Sequence, residues 1–94
     1  MYYIEDSEMM TTWRKEITLR MKLNNDTDIN NYISTLTEDE LDTWFGNGYG
    51  LREGMPFTVW TAWWVYFPVC YDGKEWCGSV ARNPTSTPTI HQGE

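Results

Sequence analysis

The chain is poor in the residues that carry chemistry. Among its 94 residues there is one histidine, His91, and two cysteines, Cys70 and Cys77. His91 stands in a Pro- and Thr-rich stretch, so it is expected to be solvated, and no base lies near either thiol in the rest of the sequence. Two thiols are also too few for a closed zinc site or a disulfide framework. Basic residues are scarce: 7 Lys plus Arg against 14 Asp plus Glu give a formal net charge of −7. Nucleic-acid binding needs a basic footprint to neutralise phosphates, and an anionic membrane repels the same charge, so direct contact with either is not expected. Long apolar runs are missing, because Thr58, Thr61 and Pro68 break the aromatic region well short of the about 20 residues of a membrane helix. No basic and apolar leader precedes Tyr2. These absences point to a soluble, cytoplasmic, non-enzymatic protein with reduced thiols and no cofactor.

What the chain does have is aromatic mass. Six Trp, six Tyr and three Phe stand in a chain too short for more than one small core. They concentrate between Phe57 and Trp76, where β-branched and aromatic residues run into the pair Asp72-Gly73. Both residues tolerate positive φ, and between two such runs they signal a hairpin. With Asp72-Gly73 as the turn, residue 71 pairs with 74, 70 with 75 and 69 with 76. Cys70 and Cys77 are then diagonal and too far apart for an unstrained disulfide. Read as one strand, Phe57–Tyr71 places Val59, Val65 and Val69 on one face and Trp60, Trp64 and Tyr66 on the other.

Upstream, Ile17, Leu19, Met21 and Leu23 alternate with Thr18, Arg20 and Lys22, which predicts a half-buried strand over Trp13–Leu23. Asn24-Asn25-Asp26 predicts a turn. Asp26 or Thr27 then caps a predicted helix through Leu36, with Ile29, Tyr32, Ile33 and Leu36 on one side. Thr37-Glu38-Asp39-Glu40 fits a capping box, starting a second helix with Leu41, Trp44 and Phe45 as its apolar stripe and Gly46 as its stop. The glycines at 46, 48 and 50 lack the Lys and Thr of a phosphate loop. Residues 83–94 are polar and Pro-broken and are expected to form a flexible tail after a single domain over 1–82.

The predicted fold is therefore α+β: a small antiparallel sheet of three to four strands with two short helices packed on one face, in the order β-α-α-β-β. Its strands are Trp13–Leu23, Phe57–Tyr71 and Lys74–Val80, with Tyr2–Ile4 as a possible edge.

No catalytic set assembles from these residues. Asp26 with Asp28, and Glu38 with Asp42, are acid pairs, but no metal site is expected of them. Binding is the better-supported role. The Val59 side finds covers in Leu41, Trp44, Phe45, Ile29 and Ile33, whereas Trp60, Trp64 and Tyr66 have none obvious. Those three rings are the candidate anchors for a partner. Glu38, Asp39, Glu40 and Asp42, with Glu5, Asp6 and Glu8, are candidates for steering toward a basic groove by imitating the charge pattern of nucleic acid. In size, charge and lack of a catalytic set the chain resembles the small acidic inhibitors that phages and plasmids encode against host nucleic-acid machinery, anti-restriction and anti-CRISPR proteins among them. This is a likeness of type that carries no family motif. It implies a host protein with a basic, nucleic-acid-handling surface as the partner, and the host cytoplasm as the place of action. The alternative is a structural or regulatory homo-oligomer, such as a homodimer, that pairs through the Trp60 face.

Overall fold

A computed structural model describes residues 10–28, 31–48 and 52–93. They form an α+β fold with the order β1 (Met10–Thr11), α1 (Trp13–Leu23), β2 (Ile33–Ser34), α2 (Glu38–Leu41), β3 (Phe45–Gly46), β4 (Val59–Trp60), β5 (Trp64–Tyr71) and β6 (Lys74–Ala81). Strands β1 and β3 pair as a small antiparallel sheet, and β2-β4-β5-β6 form a second, four-stranded one. The α+β class is as expected, with two helices and antiparallel pairing throughout. The expected edge strand Tyr2–Ile4 and the acids Glu5, Asp6 and Glu8 lie outside the described residues.

The segment Trp13–Leu23 is a helix, not the strand its alternation predicts. Period two and period four share positions 17 and 21, and the residues that separate the two readings are Leu19 and Leu23. They are 56% and 76% exposed, while Trp13, Ile17 and Met21, spaced four apart, are buried. The intervening Arg, Lys, Glu and Leu residues are good helix formers. The ends are built for a helix as well. Thr12 is the N-cap and accepts from the Lys15 amide. At the other end Asn25 adopts φ 55°, Asn25 N donates to Lys22 O and Asp26 N to Met21 O. That bond pair is a Schellman stop with asparagine in the left-handed position.

The expected helix ending at Leu36 does not form, because Ile33 and Ser34 pair with Trp60 and Val59 as strand β2. Its spacing of apolar residues comes from alternation across this short strand, with Tyr32 on the inner side and Ile33 66% exposed. The capping box at Thr37 is present in both directions, with Thr37 Oγ1 accepting from Glu40 N and Glu40 Oε1 from Thr37 N. The helix it starts is only one turn long and ends at Leu41, with Asp42 as the C-cap, so Gly46 is not its stop but part of β3. Trp44 is consequently 57% exposed and Phe45 is buried from a strand.

Asp72 (φ 53°) and Gly73 (φ 86°) make the turn of the β5–β6 hairpin. Positive φ at both positions is the type I′ signature, whose twist matches the flanking strands. The register is the expected one: Tyr71 pairs with Lys74, Cys70 with Glu75 and Val69 with Trp76. Cys70 and Cys77 are both free thiols.

Phe57–Tyr71 is not one strand. The chain folds back at Ala62-Trp63, so that β4 and β5 form their own hairpin with Val59 opposite Tyr66 and Trp60 opposite Val65. Thr61, a strand former by propensity, makes this turn: its Oγ1 accepts from Trp64 N at 3.1 Å and its main-chain N–H donates to Trp64 O. Such hydroxyl-to-backbone bonds compete with strand continuation.

Helix α1 lies across the inner face of the four-stranded sheet. Trp13, Ile17, Met21, Leu41, Phe45, Phe57, Val59, Tyr66 and Cys77 form the buried core. Trp13 sits at its centre, 1% exposed, with its ring 4.8 Å from Phe45 and 4.6 Å from Phe57, and its indole N–H donates to Met55 O.

The caps of α1 give a direct test. Thr12→Ala removes the N-cap oxygen and is expected to lower unfolding free energy by about 1 kcal/mol. Asn25→Gly relieves the left-handed backbone and is expected to raise it by a few tenths to about 1 kcal/mol. Opposite signs in denaturant unfolding confirm this helix, whereas a strand through Thr12 and Asn25 predicts no gain from glycine.

Candidate interaction surface

Helix α2 is where the acidic candidates sit. Glu38, Asp39 and Glu40 form its first turn, where the helix dipole favours negative charge, and Asp42 closes it. Their surroundings differ. Arg14 of α1 bonds both Glu38 and Asp42, and Tyr32 Oη donates to Glu38 at 2.8 Å. These contacts hold the Glu38 carboxyl below its ordinary range, chiefly through the Arg14 hydrogen bond and then that of Tyr32. They raise the Arg14 guanidinium, with Asp42 the largest cause. Glu40 is tied into the capping box. Asp39 is exposed and is the cluster's carboxylate with no side-chain partner among the described residues. The sequence separation of Arg14 from α2 hid this pairing.

The three aromatic candidates do not share a face. The turn at Ala62-Trp63 reverses the alternation: Val59 pairs with Tyr66, and Trp60 pairs with Val65. Trp64 and Tyr66 therefore point inward, and Trp60 points outward. Tyr66 is 0% exposed, which removes it as a partner anchor. Trp64 is half-buried and packs against the core. In place of the expected trio, the outer face carries a row that crosses all four strands, Ile33–Trp60–Val65–Val80. It begins at exposed Ile33 on the β2 edge, only a few residues before the acidic turn of α2. Trp44, with Lys15 Nζ 5.3 Å above its ring, adds an exposed aromatic just after α2.

Tyr66 has a structural role instead. Its hydroxyl donates to Asp26 Oδ2 at 2.7 Å, and Thr61 Oγ1 donates to the same oxygen at 2.8 Å. Asp26 Oδ1 accepts from Asp28 N, and Asp28 Oδ2 accepts from Ala62 N. Both members of that acid pair are thus used by the fold. Among the described residues no three His, Cys, Asp or Glu side chains are grouped to hold a metal ion. The other acid pair, Glu38 with Asp42, is drawn together by Arg14. A second buried carboxylate, Glu75 at 1% exposure, accepts from the Glu53 and Gly54 amides at 2.8 and 2.9 Å. A Cβ on Gly54 would come within 2.7 Å of Glu75 and of the Trp13 ring, which is why the loop passes there as glycine.

No helix among the described residues is long and apolar enough to cross a membrane. Comparison with known proteins finds no family model, no curated protein and no solved structure that matches this chain.

The two thiols are in opposite environments. Burial pushes the Cys77 thiol up to about 12, whereas Cys70 is exposed. Only the thiolate reacts quickly. At mildly alkaline pH a thiol reagent is expected to modify one cysteine per native chain, Cys70, and both in denaturant. Burial, and then the Asp26 bond, also raise the Tyr66 hydroxyl. Both groups keep their protons in the folded state at pH values where the unfolded chain has lost them. The stability that these two groups contribute is therefore full below about pH 8.5 and falls as pH rises beyond it, which unfolding curves between neutral and strongly alkaline pH will show.

Proposed function

We propose that this protein is a non-enzymatic, protein-binding inhibitor of the anti-restriction or anti-CRISPR type, encoded by a phage or other mobile element. Its partner is a host protein with a basic, nucleic-acid-handling surface. The observation that carries the reading is that an exposed acidic helix turn follows, within a few residues, the edge strand that opens the apolar outer row of the sheet. Glu38, Asp39, Glu40 and Asp42 lie in and beside α2, and Ile33 and Trp60 begin the outer row. A net charge of −7 favours approach to a basic groove, and desolvation of Ile33 and Trp60 gives the bound state its lifetime. Arg14 cancels part of the charge of Glu38 and Asp42, so Asp39 carries the steering most directly.

The test uses a partner captured from the native host and then purified. Asp39→Lys is expected to slow association several-fold at low salt and to flatten its salt dependence, while Ile33→Ser mainly speeds dissociation. Both positions are exposed, so the folded chain should tolerate both changes. Association rates that are the same for Asp39→Lys and the parent at low and high salt overturn charge steering.

Exposed Ile33 on a short edge strand also suits a second reading, self-pairing of two outer faces into a homodimer. Light scattering on dilution separates the readings: a monomer at micromolar concentration removes the second.

A further inference from the structure

We propose that the cleft bounded by the C-terminal end of α1, strand β6 and residues 83–92 binds a small planar anion, namely an aromatic ring bearing one carboxylate or phosphate group. The cleft encloses about 500 Å³ and is lined by Arg20, Asn24, Trp63, Trp64, Ile90 and Gln92 together with β6 and the threonine-bearing C-terminal segment. That volume is in the range of small-molecule sites, which combine apolar walls with a few convergent polar groups.

The charge of the lining selects the sign of the ligand. Among the described residues that line the cleft Arg20 is the one charged side chain and none is a carboxylate, in a chain whose net charge is −7. Arg20 is also held in place. Its Nε donates to Ser79 Oγ at 2.9 Å, and Asn24 Nδ2 donates to the same oxygen at 3.1 Å, with Ser79 itself 4% exposed. Among the described residues the Arg20 guanidinium forms no ion pair, so its terminal nitrogens are available to a planar anion.

The two indoles account for the ring. Trp63 is 64% exposed at the turn of the β4–β5 hairpin, with no aromatic ring stacked on it among the described residues, and half-buried Trp64 is its neighbour in the chain. The turn is fixed from the other side, since Arg82 N donates to Trp63 O at 2.9 Å and Arg82 Nη1 to Thr61 O at 2.8 Å. The far wall is fixed as well. The Gln92 side-chain amide pairs with the main chain of Ser79 in both directions, donating to Ser79 O at 2.7 Å and accepting from Ser79 N at 3.3 Å. Ser79 thus ties the cation to one wall and the C-terminal segment to the other.

The site is tested on the full chain by isothermal titration calorimetry with indole-3-acetate and with adenosine 5′-monophosphate. The uncharged indole-3-acetamide and adenosine serve as controls. At least one anion is expected to bind saturably at or below about 1 mM, with its uncharged counterpart about tenfold weaker or worse. Which anion binds decides between carboxylate and phosphate. Arg20→Gln and Trp63→Ala are each expected to weaken it by about tenfold. Trp63 is exposed, so its variant reports on the site even if Arg20→Gln disturbs the fold. Absence of saturable binding by either anion, equal binding of charged and uncharged probes, or an unchanged affinity in Trp63→Ala overturns the proposal.

Discussion

The Asp26 carboxylate is the contact on which the arrangement of the whole chain depends. Asp26 follows the Schellman stop of α1, so its position is set by where that helix ends. One of its oxygens takes hydrogen bonds from Tyr66 of β5 and from Thr61 at the β4–β5 turn. The helix end, the turn and the central strand are therefore joined at a single buried, 8% exposed residue. A buried charged acceptor with several donors is worth more than neutral bonds of the same number, and costly to leave half made. Asn24, one residue earlier, extends the junction to Tyr66 and Ser79, and Arg20 adds a second bond to Ser79. The network thus touches β5, β6 and the turn that joins β4 to β5.

The outer surface follows from the same junction. Because Thr61 turns the chain instead of extending it, Tyr66 faces Asp26 and the core while Trp60 faces outward with Ile33, Val65 and Val80. The acidic turn of α2 is placed by a separate device, the Arg14 bridge from α1, which draws Glu38 and Asp42 toward the helix and leaves Asp39 outermost. The acidic turn thus follows the β2 edge directly in the chain, and Trp60, from further along, joins Ile33 in the outer row.

Local chemistry made some of this legible in the sequence. Asp72-Gly73 carries its own turn type, and the Thr37–Glu40 box carries its own helix start, so both stand where the residues place them. The diagonal, unbridged thiols followed from the hairpin register. Three features depended on tertiary contacts and were not legible. The alternation in Ile17–Leu23 is as good a strand as a helix until the core buries positions 13, 17 and 21 and leaves Leu19 and Leu23 in solvent. Tyr32 and Ile33 are spaced as in a helix, yet the edge of β4 recruits them into a strand. At Thr61 a β-branched residue makes a turn because Asp26, some 35 positions earlier, accepts its hydroxyl proton. That last misreading shifted the parity of the aromatic stretch, and with it two of the three ring anchors: Trp64 and Tyr66 belong to the inner side, and only Trp60 stays outside.

The most direct measurement is a double-mutant cycle on the Asp26–Tyr66 pair, using Asp26→Ala, Tyr66→Phe and the double variant in denaturant unfolding. If this carboxylate joins helix, turn and strand, the two changes couple by about 1.5–3 kcal/mol, and Asp26→Ala is the more damaging because it strands two buried donors at once. Additive effects with a coupling near zero would contradict the account and place Tyr66 away from Asp26.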